Sequence, residues 1–154
     1  LLYDFVDKMM GKYFQNSNVY FENSVKTASP TKLVELLYKN SIERLEKAVK
    51  AIEKNNLIEA NHEIIRVEEI ILELNVSLNI EKGGEVAKNL RLLYNYIYEQ
   101  LIQANLKKDI DTLTEVKSLI KDLYETWREV VKQDVQTARQ LSATSLDPKF
   151  DIKY

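Results

Sequence analysis

The scarcity of helix-breaking residues constrains this chain more than any other feature of its sequence. Its 154 residues include three glycines and two prolines, and no proline occurs from residue 31 to residue 147. Proline removes a backbone donor and clashes with the preceding helical turn, so its absence leaves this long stretch free to form helices. With 45% hydrophobic and 30% charged residues, the composition is that of a globular chain and not of a disordered one. The predicted fold class is all-α.

Capping residues predict where the first two helices begin. Ser29 followed by Pro30 predicts the start of the first helix, because a serine side chain accepts an early backbone N–H and proline fits the first turn. The first helix is expected to end near Asn55. Asn56 followed by Glu59 then gives the second helix a start that resembles a capping box.

A pair of glycines separates the second predicted helix from the third. Gly83 and Gly84 predict a short loop, and Asp109 is a candidate N-cap for a fourth helix. Both later helices carry apolar stripes at helical spacing. The stripes are Val86, Leu90, Leu93, Ile97 and Ala104 in the third helix, and Leu113, Val116, Ile120, Leu123, Trp127 and Val130 in the fourth.

The second helix has the most regular apolar pattern in the chain. Its spacing alternates between three and four residues, which is typical of a helix packed along nearly parallel neighbours. The residues are Leu57, Ala60, Ile64, Val67, Ile71, Leu74 and Leu78. Because the predicted connections are short, consecutive helices must run antiparallel. We therefore predict an antiparallel up-down four-helix bundle.

Composition divides the chain into three parts. Residues 29–140 form the predicted bundle domain, and residues 141–154 are expected to be a loose C-terminal tail. Residues 1–28 are expected to form a partly extended segment, because the stretch 13–28 is rich in asparagine, serine and aromatic residues without a helical stripe. The chain opens on leucine, and Met9 or Met10 is a candidate native start, with residues 1–9 extra or foreign.

Charge and composition argue against several classes of protein. The net charge is −2, whereas nucleic-acid binders need a surplus of positive charge to displace counterions from phosphate. No apolar run approaches the ~20 residues needed to cross a bilayer, so membrane insertion is not expected. The chain has no cysteine, which removes disulfides and thiolate sites. We take a cytoplasmic location as the default interpretation.

The sequence contains no convincing catalytic or metal-binding motif. Glu59 and His62 supply one Glu-x-x-His pair, but a di-iron bundle needs two such pairs, and His62 is the only histidine. In the register of the second helix both residues point away from the core. The acidic pair of Glu68 and Glu69 is interpreted as outward-facing solubilising charge. We expect no enzyme activity, no cofactor and no metal.

The second and third helices carry more apolar residues than one core stripe requires. On the second helix, a row outside the core stripe consists of Ile58, Ile65, Leu72 and Val76. On the third helix, one further row consists of Ala87, Tyr94 and Leu101, and another of Tyr98, Ile102 and Leu106. A helix that is apolar beyond a single stripe is either more deeply buried or a docking surface.

Three interpretations of these extra rows remain open. The rows can widen the core, they can form a homodimer face, or they can line a groove covered by the N-terminal segment as a lid. Aromatic and apolar residues of that segment, Tyr20 and Val25 among them, suit the last interpretation. Such a lid would give way to a partner helix with apolar anchors at i, i+3/i+4 and i+7.

Several motifs resemble those of one known family. The stretches are "VYFENSVKTASPTKLVELLY" and "ELNVSLNIEKGGEVAKNLRLLYNYIYEQLIQANLKKD", followed by "ETW". They cover roughly residues 16–132, and in order and spacing they resemble the flagellar secretion chaperone family, FliS. One departure is Asn95-Tyr96 followed by Glu99-Gln100, where family members commonly have Asp-Tyr followed by a basic pair.

The resemblance implies a cytoplasmic chaperone that binds the C-terminal region of flagellin. It would prevent premature polymerisation and deliver flagellin to the flagellar type III export apparatus, engaging a component of the export gate. The N-terminal segment with Tyr20 would contact or regulate the groove. The expected partner-binding residues are Tyr20, Val25, Ile58, Ile65, Leu72, Val76, Tyr94, Tyr98, Leu101 and Ile102. The alternative function is a homodimeric structural or adaptor bundle, whereas the chaperone is expected to be monomeric or only weakly self-associated.

Overall fold

The structure is a computed structural model that describes residues 29–143, and residues 1–28 and 144–154 lie outside the described residues. Four helices account for nearly all of the described part. They are α1 (Pro30–Glu53), α2 (Leu57–Val76), α3 (Ile80–Lys107) and α4 (Ile110–Ala143). The all-α prediction is confirmed, and within the described range no strand occurs. The last helix extends three residues past the predicted domain boundary at residue 140.

Side-chain caps begin the helices where the sequence predicts them. Ser29 Oγ accepts a hydrogen bond from Lys32 N at 3.2 Å at the start of α1. Asn56 Oδ1 does the same for Glu59 N at 3.3 Å in α2. These oxygens satisfy backbone donors that have no partner within the helix.

Asp109 caps α4 with both of its carboxylate oxygens. Oδ1 accepts from Asp111 N at 3.0 Å and from Thr112 N at 3.3 Å, and Oδ2 accepts from Thr112 Oγ1 at 2.9 Å. The hydrogen bonds from Thr112 lower the pKa of Asp109, because they stabilise the charged carboxylate.

The predicted loop at Gly83 and Gly84 is wrong, because α3 begins before these glycines. Asn79 Oδ1 accepts from Lys82 N at 3.0 Å, so a helical turn forms immediately after a short connection at residues 77–79. Gly84 then interrupts the helix as a kink, with φ 59° and ψ −138°. Residues with a side chain rarely adopt these two backbone angles, although a Cβ atom added to Gly84 would contact no other atom.

The helices form a closed ring of neighbours. α1 packs on α2 and α4, and α3 also packs on α2 and α4, so α1 and α3 lie diagonally opposite. Short connections make each consecutive pair antiparallel. The core lies between the four helices. Its largest fully buried side chains are Tyr38, Leu33, Leu45, Ile64, Ile70, Ile71, Leu74, Tyr94, Ile97, Leu101, Leu113 and Ile120.

An aromatic cluster joins three helices near the centre of the bundle. Tyr38 of α1 and Tyr94 of α3 share a hydrogen bond between their hydroxyl groups, across the diagonal. Trp127 of α4 packs edge-on against Tyr38, with ring centroids 6.3 Å apart, and its Nε1 donates to Thr31 O at 2.9 Å. Burial is the main reason that the pKa of Tyr38 is raised, because it disfavours the phenolate.

Candidate partner-binding surface between α2 and α3

A line of polar residues on α2 faces α3. Asn61, Glu68 and Asn75 are seven residues apart, which is nearly two full helical turns, so they share one side of the helix. Asn105 Nδ2 donates to Asn61 Oδ1 at 2.8 Å, and Asn75 Nδ2 donates to Asn95 Oδ1 at 2.7 Å. Since both ends of the line contact α3, Glu68 in the middle lies on the same side of α2.

A corresponding line on α3 consists of Arg91, Tyr98 and Asn105. Arg91 Nε donates to Asn75 Oδ1 at 3.3 Å, and Arg91 Nη2 donates to Asn75 O at 3.2 Å. Tyr98 lies midway along this line, as Glu68 does on α2. The two residues therefore occupy the middle of the same helix–helix interface.

The extra apolar row of α2 borders this interface on its solvent side. Ile65 and Leu72 each follow a residue of the polar line by four positions, which places them one step around the helix from it. Ile58 is 76% exposed, Leu72 is 43% exposed and Val76 is 63% exposed, whereas Ile65 is half-buried. The row is therefore an edge of the bundle and not part of its core.

Residues of α3 continue the apolar edge on the other side of the interface. Ile102 follows Tyr98 by four positions, and Leu106 follows Ile102 by four. Tyr98 and Ile102 are half-buried, and Tyr98 packs against the core, whereas Leu106 is 76% exposed. Together these side chains form what we call the α2–α3 face, which consists of Ile58, Ile65, Leu72, Val76, Tyr98, Ile102 and Leu106.

Glu68 is a buried carboxyl group beside this face. It is 8% exposed, and its Oε1 has no hydrogen-bond partner among the described residues. Burial raises the pKa of Glu68, and the negative charge of Glu69 raises it further, while the positive charge of Lys108 lowers it. The interpretation of Glu68 as outward-facing solubilising charge is therefore wrong.

Two of the predicted partner-binding residues lie in the core instead. Tyr94 and Leu101 are fully buried, so neither presents a surface to a partner in this conformation. The physical reason is that the Tyr94 row lies on the side of α3 that faces α1 across the core. The hydroxyl group of Tyr94 there shares a hydrogen bond with the hydroxyl group of Tyr38. Tyr20 and Val25 lie outside the described residues.

A second group of exposed apolar side chains lies on another side of α3. Val86, Leu92 and Tyr96 are exposed although they are not part of the α2–α3 face. Val86 was expected in the core stripe of α3, but it follows the kink at Gly84 and points outward. Tyr96 OH donates to Glu115 Oε1 at 3.2 Å, which places that side of α3 next to α4.

The remaining chemistry of the described residues is sparse. Glu59 and His62, the one Glu-x-x-His pair, are both exposed on α2. Within residues 29–143, no three acidic or histidine side chains gather into a possible metal site. None of the four described helices combines the length and apolar character needed to cross a bilayer.

Comparison with known proteins decides the family. The sequence model of the family described as "Flagellar protein FliS" matches residues 13–134. This chain belongs to the FliS family. The resemblance carried by the "EKGGE" and "QANL" motifs is thereby confirmed, and so is the expectation of a chaperone family and not an enzyme family.

Individual relatives of the FliS family match most of the chain. The flagellar secretion chaperone FliS of Bacillus subtilis (strain 168) is 33% identical over 115 residues, covering 75% of this chain and 85% of the relative. FliS of Campylobacter jejuni (strain 81116) is 37% identical over 113 residues, covering 73% and 88%. FliSB of Pseudomonas aeruginosa (strain PAO1) is 36% identical over 120 residues, covering 78% and 93%.

Proposed function

We propose that this FliS-family protein is a cytoplasmic chaperone that binds the C-terminal region of flagellin. It would prevent premature polymerisation and deliver flagellin to the export apparatus through a component of the export gate. The observation that carries this proposal is the α2–α3 face, an exposed apolar edge on a protein of a secretion chaperone family.

The shape and chemistry of the α2–α3 face suit an amphipathic helix. Its apolar side chains come from two antiparallel helices and run along the interface at helical spacing, as in helix-in-groove recognition. The polar line beneath them is hydrogen-bonded to α3 near its two ends, through Asn61 and Asn75. A partner helix would bury its apolar stripe on the face and cover the middle of this polar line.

Binding without chemistry is sufficient for the proposed role. An unassembled filament subunit carries an apolar stripe that is prone to aggregation, and a bundle that covers this stripe needs neither a cofactor nor ATP. A partner segment that is disordered when free would lose conformational entropy when it folds onto the face. This cost lowers the affinity per unit of buried area and favours release at the export apparatus.

Titration calorimetry with a flagellin peptide tests the proposal. We expect saturable 1:1 binding of a peptide spanning roughly the last 40 residues of the same organism's flagellin, with a large negative heat-capacity change and a gain of helicity. Leu72→Asp should weaken this binding while leaving the helicity of the free protein nearly unchanged. A folded protein that releases no heat and gains no helicity would contradict the proposed function.

The N-terminal segment is the proposed lid of the same surface. Its residues 1–28 lie outside the described residues, so the support is its aromatic composition together with the exposed apolar face beside which it would bind. We expect that deleting residues 1–19 leaves a folded bundle with altered peptide affinity. A collapse of the melting temperature would instead mean that these residues belong to the folded core.

A homodimer is the second candidate, and the same exposed face favours it. Because a dimer would bury the α2–α3 face against a second copy, the molar mass in solution would rise with protein concentration. Sedimentation over a wide concentration range separates the two candidates. A chaperone with a free face remains monomeric or only weakly associated, whereas a structural dimer persists at low concentration.

A further inference from the structure

Among the described residues two glutamates are buried, Glu35 and Glu68, and of these only Glu68 has an unpaired carboxylate oxygen. Glu35 is 5% exposed, and its Oε2 accepts from Lys32 Nζ at 2.7 Å while its Oε1 lies 3.6 Å from Arg128 Nε. Glu68 is almost as buried, but its Oε1 has no partner among the described residues. Leaving a buried acceptor unpaired costs stability, so such a group calls for an explanation.

The position of Glu68 connects the unpaired oxygen with the α2–α3 face. Glu68 lies three residues after Ile65 and four residues before Leu72, so the two apolar side chains flank it along the same edge of α2. At the two ends of the polar line, Asn61 and Asn75 already bond to α3. The unpaired acceptor is thus at the centre of the proposed docking surface, where a bound helix would be most completely shielded from water.

We propose that Glu68 Oε1 accepts a hydrogen bond from a donor side chain of the docked partner helix, located between two of that helix's apolar anchors. This inference rests on the proposed function. The donor belongs to the class of arginine, lysine, asparagine, glutamine, serine or threonine side chains. Because Oε1 is covered in the free protein, the contact requires the Glu68 carboxyl group, or the half-buried side chains beside it, to rotate when the partner docks.

Such a contact would provide specificity that an apolar face alone lacks. Apolar surfaces accept many amphipathic helices, and they discriminate weakly between partners of similar size. A partner with a purely apolar stripe would leave Glu68 buried and unpaired beneath it, whereas a partner with one donor at the right place would satisfy it. Glu68 would therefore select among helices that all fit the same edge.

The test compares two replacements of Glu68 in the full chain, by calorimetric titration with the flagellin peptide. Glu68→Met keeps the length of the side chain but removes the acceptor, and we expect it to weaken binding by about tenfold or more. Without the unpaired acceptor, the melting temperature of the free Glu68→Met protein should stay the same or rise by about 2–4 °C. Glu68→Gln keeps an acceptor oxygen, and its affinity should lie between those of Glu68→Met and the wild type.

Glu73→Met is the matched control, because it makes the same change on α2 at a half-buried position away from the polar line. It should leave the affinity within about twofold of the wild type, which is well below the energy of a charged hydrogen bond. The inference is overturned if Glu68→Met binds the peptide as tightly as the wild type. It is equally overturned if Glu68→Gln loses as much affinity as Glu68→Met.

The outcomes separate this inference from the proposed function on which it rests. If the wild-type protein does not bind the peptide, the proposed function fails and the role of Glu68 fails with it. If the wild type binds, and Leu72→Asp weakens binding but Glu68→Met does not, the docking surface stands and only the role of Glu68 is refuted.

Discussion

Replacing Ile58 with aspartate tests the α2–α3 face most directly, because this side chain contributes little to the free protein. Ile58 is 76% exposed in the first turn of α2. An aspartate there costs the fold almost nothing, since a negative charge near the start of a helix interacts favourably with the helix dipole. Any loss of affinity therefore reports on the partner and not on unfolding.

The expected loss follows from the area that a partner would cover. Complete burial of an isoleucine side chain contributes about 1.5–3 kcal/mol, so covering the exposed three-quarters of Ile58 contributes roughly 1–2 kcal/mol. Removing this contribution weakens binding and raises the dissociation constant about 5- to 30-fold. The cost of desolvating the new carboxylate adds to the loss, so the lower figure is a minimum.

Val86→Asp is the matched control for this experiment. Like Ile58, Val86 is β-branched, largely exposed (67%) and near the start of its helix. It precedes Arg91 by five residues, so it lies about 140° around α3 from the side that faces α2. Calorimetric titration with the flagellin peptide should give an unchanged affinity for Val86→Asp and a weakened one for Ile58→Asp. Wild-type affinity for Ile58→Asp, or an equal loss in both variants, would refute the assignment of the docking surface.

Three further predictions concern the stability of the bundle. Tyr94→Phe should lower the free energy of unfolding, measured in urea, by about 1–3 kcal/mol, because it leaves the Tyr38 hydroxyl group buried and unpaired. The double variant with Tyr38→Phe should lose less stability than the sum of the two single variants, and an additive loss would contradict this prediction. Gly84→Ala should cost about 1–3 kcal/mol in the same assay because of its backbone angles, and an unchanged stability would show that the kink relaxes. The raised pKa of Glu68 means that the folded state binds its proton more tightly than the unfolded chain does. The free energy of unfolding should therefore fall as pH rises from the ordinary value of 4.5 through the raised pKa, and Glu68→Gln should remove this decrease; an identical pH profile in the variant would contradict it.

The candidate site could be predicted only in part from the sequence. Ile58, Leu72 and Val76 are correctly separated from the core stripe of α2, because the row that contains them lies on a different side of the helix from the core residues. Tyr94 and Leu101 were not correctly placed, since their row on α3 reads the same whether it widens the core or lines a groove. Only the diagonal packing of α1 against α3 distinguishes these two cases.

Glu68 shows a second limit of sequence reasoning. A glutamate beside another glutamate on an amphipathic helix is usually solvated, and nothing local indicates otherwise. Its burial depends on how closely α3 approaches α2, which the asparagine contacts at both ends of the interface fix. Asn61, Glu68 and Asn75 recur every seven residues, but this spacing alone does not tell a solvated polar stripe from one that is hydrogen-bonded to a neighbouring helix.

The sequence by itself determined the class of fold, the number of helices, three of the four helix starts and the family. These features follow from patterns that span a few residues of the chain. The patterns are the absence of proline, the caps at Ser29, Asn56 and Asp109, and the helical period of the apolar residues. Tertiary structure alone decided which extra apolar row is core and which is surface, and where a carboxyl group is buried without a partner. Those properties depend on distances between helices that are remote in sequence, and the spacing along a single helix carries no record of them.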